Sequence, residues 1–136
     1  MTGQNDKKST PNVVVSVGQC GYDNARIRSF VRDIDPSIDV RFADDLDETR
    51  TEIERAGGQV KLVLVNRILD NDGSSGLEAI RTIKTAPDTA AVAVMLISNY
   101  EDAQAAAIAE GAVPGFGKSG IGSAAARERL AAVLTT

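Results

Sequence analysis

Cys20 and Arg26, spaced as C-x5-R, follow the first apolar run of this 136-residue sequence. A thiolate at a helix N-terminus, ringed by backbone N–H groups and an arginine, is an arrangement that can attack a phosphate ester. Two features count against it. Ile27 stands where a hydroxyl residue would support the thiolate, and the Asp35-Pro36 pair comes too early to supply a general acid. A small, semi-buried cysteine is the plainer reading. A second stretch, AVPGFGKS at 112–119, fits the loosest phosphate-loop pattern, [AG]-x4-G-K-[ST]. A working loop of that kind follows a first strand and needs later strands carrying a metal-binding Asp. Residues 120–136 leave no room for that core.

The segment DNDGSSG at 70–76 hints at a calcium loop. The EF-hand frame needs Asp first, Gly sixth and Glu twelfth. Placing Gly73 sixth puts Ile68 first, and placing Gly76 sixth puts Gly73 third, so no frame holds. A polar turn leading to a helix cap fits the residues better. In ADDLDET, the carboxylates of Asp44, Asp45 and Asp47 suit the positive end of a helix. No metal site and no cofactor are expected.

Composition removes further classes. The sequence has no histidine, which rules out histidine acid–base catalysis, histidine metal ligands and a phosphohistidine. One cysteine permits no disulfide within the chain. A net charge of −4 without clustered Lys and Arg argues against a nucleic-acid surface. No run approaches the roughly 18 apolar residues of a membrane span. The polar opening MTGQNDKKSTP lacks a signal-peptide core. The expectation is a disordered lead over 1–11, one domain over 12–136, no membrane, and a cytoplasmic location.

Five apolar runs alternate with helical patterns. VVVSV (13–17), IDVRFA (38–43), KLVLV (61–65) and AVAVMLIS (91–98) read as strands, and PGFGK (114–118) as a weak fifth. Helices are expected over 24–34, 44–58, 75–88, 99–112 and 123–134. Ser75 with Glu78 forms a capping box, and Asn99 is expected as an N-cap. Strict strand–helix alternation implies an α/β fold, a doubly wound parallel sheet with helices on both faces. Sites in such sheets lie beyond the carboxyl ends of the strands. The positions to watch are therefore 18–24, 43–45, 66–72, Ser98, Asn99 and Lys118.

Those positions carry a resemblance over residues 12–134. LVLVN is similar to the third strand of response-regulator receiver domains, which ends in the phosphoacceptor Asp. VMLIS is similar to the fourth strand, which ends in Ser or Thr. EGAVPGFGKS is similar to the Gly-Ala stretch that leads to the family's lysine. The resemblance implies a flavodoxin-like (βα)5 fold with strand order 2-1-3-4-5. It places Asn66 at the phosphoacceptor, Ser98 at the switch hydroxyl and Lys118 at the phosphate contact. The departures weigh as much as the matches. Gly18 and Gln19 stand where the family has an acidic pair for Mg²⁺, and Asn66 replaces the nucleophilic carboxylate. Magnesium needs hard oxygen ligands, and an amide is a poor nucleophile toward phosphorus. Gly115 replaces the family's switch aromatic, with Phe116 expected to point into the core.

The expectation is thus an atypical, stand-alone pseudo-receiver, not an enzyme, acting in two-component-type signal transduction through phosphorylation-independent protein–protein contact. Its partner face, and the route to a homodimer, would be the fourth helix, fifth strand and fifth helix (103–109, 115–118 and 125–133). The alternatives are a sensor of a small anion or metabolite in the degenerate pocket of Gly18, Gln19, Asn66, Ser98 and Lys118, or an enzyme resembling low-molecular-weight cysteine phosphatases through Cys20 and Arg26. Asp70 and Asp72 are the carboxylates that could stand in as acceptors.

Overall fold

A computed structural model describes residues 11–135. The expected lead at 1–11 thus falls outside the described residues except for Pro11. Five strands, β1 (Val13–Val17), β2 (Asp39–Ala43), β3 (Val60–Asn66), β4 (Val94–Ile97) and β5 (Val113–Phe116), form one sheet in the order 2-1-3-4-5. Every neighbouring pair is parallel. Helices α1 (Gly21–Ile34), α2 (Leu46–Ala56), α3 (Gly76–Thr85), α4 (Glu101–Ala109) and α5 (Ala124–Leu134) return the chain between strands or follow the last one. This is the flavodoxin-like (βα)5 arrangement expected from the sequence.

The central strands are mainly apolar because both of their faces are covered. Val13, Val15, Val63, Val65 and Leu96 pack against Ile53 of α2, Ile80 and Ile83 of α3, and Ala107 of α4. Their neighbours Val14, Leu62, Leu64, Met95 and Ile97 face the other way, onto Ile27, Phe30 and Val31 of α1 and Leu130 and Leu134 of α5. Each fully buried Leu or Ile contributes about 1.5–3 kcal/mol. Edge strand β2 is half-buried without strict alternation: Val40 and Ala43 are buried, while Asp39 and Phe42 are exposed. Phe116 enters the core and meets Phe30 edge to face at 5.9 Å.

Helix ends follow their caps. Asp45 accepts from the Glu48 N–H at 2.9 Å, and Glu48 accepts from the Asp44 N–H at 2.8 Å. Ser75 accepts from the Glu78 N–H, and Ser123 from the Ala126 N–H. Several expected bounds need correction: the strand over 91–98 shortens to Val94–Ile97, and the helices over 44–58, 75–88 and 99–112 shorten to Leu46–Ala56, Gly76–Thr85 and Glu101–Ala109. Helix α1 starts at Gly21, three residues before Asn24. The N-cap of α4 is Tyr100, not Asn99. Asn99 is occupied elsewhere: its Oδ1 accepts from the N–H and the hydroxyl of Ser119, 20 residues on.

Candidate functional site

Asn66 ends β3 with its side chain buried and directed toward the end of β1. Its Nδ2 donates to the Gly18 carbonyl at 3.0 Å. That carbonyl also accepts from the Asp70 N–H at 2.8 Å, while the Gly18 N–H donates to Ala43. Gly18 therefore ties together the ends of β1, β2 and β3. Its φ of +73° favours glycine, and a Cβ there would lie 2.4 Å from the Leu69 side chain. The amide at 66 suits this geometry in a way a carboxylate would not, because the group facing it is a carbonyl oxygen and needs a donor.

Beyond β3 the chain folds back on itself. Leu69 N–H donates to Ser74, Gly73 N–H donates to Leu69, and Ile68 bridges Ser75. Asp72 Oδ1 accepts from the Ser74 N–H at 2.9 Å, an Asx turn, and the bonds from Ser74 hold its carboxyl below the ordinary value. The segment is a capped turn, and no group of three His, Cys, Asp or Glu converges to hold a metal ion among the described residues.

Of the five positions expected in the degenerate pocket, three meet. Asn66, Ser98 and Lys118 line one cavity of about 420 Å³, together with Arg67 and Tyr100. Ser98 is buried, and its Oγ accepts from the Tyr100 N–H at 3.1 Å, so the hydroxyl orders the entry to α4. Gly18 and Gln19 are not on the wall of that cavity. Gln19 is buried, donates to the Val17 carbonyl at 3.3 Å, and leaves Oε1 without a partner among the described residues.

The cation at 118 is already paired. Lys118 Nζ lies 2.9 Å from Asp23 Oδ2. Asp23 sits in the first turn of α1 with its side chain 8% exposed, while Lys118 is 40% exposed. Burial pushes the Asp23 carboxyl up. The hydrogen bonds from Lys118 and Cys20, with the charges of Lys118 and Arg26, outweigh it and hold the carboxyl below its ordinary value. Asp23 lies within the watched span 18–24 but carried no role in the sequence reading, because it stands six residues past the end of β1 and its partner Lys118 is 95 residues further on. The available signal was a carboxylate in the first turn of α1, where helix geometry returns a side chain toward the sheet end.

Cys20 and Arg26 do not form a phosphate loop. Cys20 is the N-cap of α1 and the residues that follow are helical, so no loop of N–H groups encircles the thiol. Cys20 Sγ reaches Asp23 at 3.5 Å. Arg26 pairs with Asp23 at 3.4 Å and donates to the Lys118 carbonyl at 3.3 Å. The GFGKS segment likewise cradles nothing, since residues 113–116 form strand β5 and 118–120 a short 3₁₀ turn.

No protein-family model and no curated protein matches the sequence. Solved structures do match the fold. The signal receiver domain of the DNA-binding response regulator merR from Colwellia psychrerythraea 34H is similar with a TM-score of 0.76 and 16% identity, over 92% of this chain and 99% of that one. A response regulator from Thermotoga maritima gives 0.72 and 19%, over 93% and 99%. The receiver domain of NtrX from Brucella abortus gives 0.61 and 25%, over 91% and 95%. The fold of this chain is the receiver-domain fold.

Proposed function

We propose that this chain is a receiver-type signalling module that acts by binding a partner protein, without phosphorylation of an aspartate and without enzymatic activity of its own. The observation that carries the reading is the junction of β1 and β3. Asn66 presents an amide N–H to the Gly18 carbonyl, where aspartyl phosphorylation would require a carboxylate and a bound cation. Glycine and glutamine supply no charge for Mg²⁺. The lysine that would meet a phosphoryl group is held by Asp23. A small-anion sensor in this cavity finds less support, since Lys118 is already neutralised.

The partner face we favour is formed by α4, β5 and α5. Helix α4 is apolar on average but buries only Ala107 and leaves Ile108 45% exposed. An apolar helix that spends so little of itself on its own core is suited to contact another protein. A second copy of the chain is one candidate for that contact.

Intact-mass spectrometry after incubation with acetyl phosphate and Mg²⁺ tests the reading. The expected result is an unmodified chain. A phosphoryl adduct mapped to Asp70 or Asp72 would overturn it, by showing that the turn after β3 has supplied a new acceptor. An adduct on Cys20 would restore the thiol chemistry that the helical backbone argues against.

A further inference from the structure

The β4–β5 seam is irregular. Met95 pairs with Val113 and Ile97 with Phe116, so two steps along β4 match three along β5. The extra residue takes backbone groups of β5 out of a regular ladder. Pro114 has no N–H to offer. The Gly115 N–H instead donates to Gln104 Oε1 at 3.2 Å. Gln104 belongs to the first turns of α4, and its amide works in both directions. Nε2 donates to the Leu96 carbonyl at 2.9 Å and to the Ser98 carbonyl at 3.1 Å, with Phe116 O at 3.5 Å. One side chain thus reaches from α4 across the last residues of β4 into β5.

The same point on β5 is held from the other side. Arg129 of α5 donates to the Gly115 carbonyl. The Gly115 Cα is pressed against the strand as well: a Cβ there would lie 2.2 Å from the Leu96 carbonyl oxygen and 3.1 Å from Gln104 Oε1. Gly115 therefore has its N–H bound to α4, its C=O bound to α5 and its Cα in contact with β4. A polar side chain that satisfies several buried backbone groups at once is expensive to displace, because each group would have to find a new partner.

We propose that Gln104, Gly115 and Arg129 form a clasp that makes α4, β5 and α5 one rigid body, so that their outer face is presented in a single conformation. The proposal deepens the partner-binding reading, on which its functional meaning rests: a module that does not switch displays its docking face constitutively. The clasp itself is a property of the fold and stands or falls separately.

The test is NMR on the full chain with no phosphodonor present. In the wild type the Gly115 amide exchanges with solvent as slowly as core amides such as Leu96, and relaxation dispersion over 101–134 is flat. In Gln104→Met, which keeps the length of the side chain and removes the amide, the Gly115 amide exchanges about tenfold faster. The β1 amides are unchanged, and dispersion appears in α4 and β5. A rapidly exchanging Gly115 amide in the wild type, millisecond dispersion across α4 and β5 of the wild type, or an unchanged Gly115 in the variant would each overturn the clasp. The wild-type measurements decide the matter even if the variant folds poorly. An acetyl phosphate adduct would refute the proposed function and leave these readouts untouched.

Discussion

Asp23→Asn removes one charge and almost no volume at the only carboxylate that Lys118 touches among the described residues. The consequence follows from the exposure of the two partners. A pair buried on both sides costs about 3–5 kcal/mol when broken, because a charge is stranded. A pair exposed on both sides is worth about 0–1 kcal/mol. Here the carboxylate is 8% exposed and the ammonium 40%, so Lys118 can recover water and its share is discounted. The hydrogen bond from Cys20 and the ion pair with Arg26 weaken as well. A loss of about 1–3 kcal/mol results, equivalent to roughly 3–12 °C in Tm for a domain of this size. The pH dependence has a definite sign. The folded carboxyl titrates below its ordinary value, so its stabilisation is complete above about pH 4 and disappears as pH falls through the folded pKa. Urea melts of wild type and Asp23→Asn at pH 7 and at steps down to pH 3 measure both effects. The variant is weaker at neutral pH, and the gap to wild type narrows in acid. Equal stability at pH 7 with parallel acid slopes would refute the argument, since it would mean that the pair makes no net contribution.

Two further substitutions probe the junction of β1 and β3. Asn66→Asp turns a donor toward the Gly18 carbonyl into a second acceptor, costs about 2–3 kcal/mol in a urea melt, and still yields no adduct with acetyl phosphate and Mg²⁺ by intact mass, because residues 18 and 19 bring no carboxylate to hold the cation. Gly18→Asp, which places an acid at the first strand end, forces a side chain into φ +73° and against Leu69 at 2.4 Å; thermal melting reports a loss of about 2–4 kcal/mol.

The elements were legible because they depend on neighbours close in sequence. LVLV at 62–65 reads as a buried strand from its unbroken apolar run, and Ser75 with Glu78 reads as a helix start because a cap spans only three residues. That residues 18, 19 and 66 are Gly, Gln and Asn, with no carboxylate among them, was equally legible, since it needs only the strand ends to be located. Boundaries were less secure. Helix α1 begins at Gly21 because the turn closes on Cys20, and Asn99 gives up the cap position to bind Ser119.

The sequence alone therefore determined the doubly wound architecture, its two covered faces and the lack of a carboxylate at positions 18, 19 and 66, all of which follow from local periodicity and residue type. Tertiary structure decided who holds whom. Asp23 meets Lys118 from the far end of the chain, Asn66 turns its amide to Gly18, and Gln104 closes the seam of β5. Those partners are brought together by the packing of helices on the sheet, and a hydrogen bond depends on distances and angles that spacing along the chain does not encode.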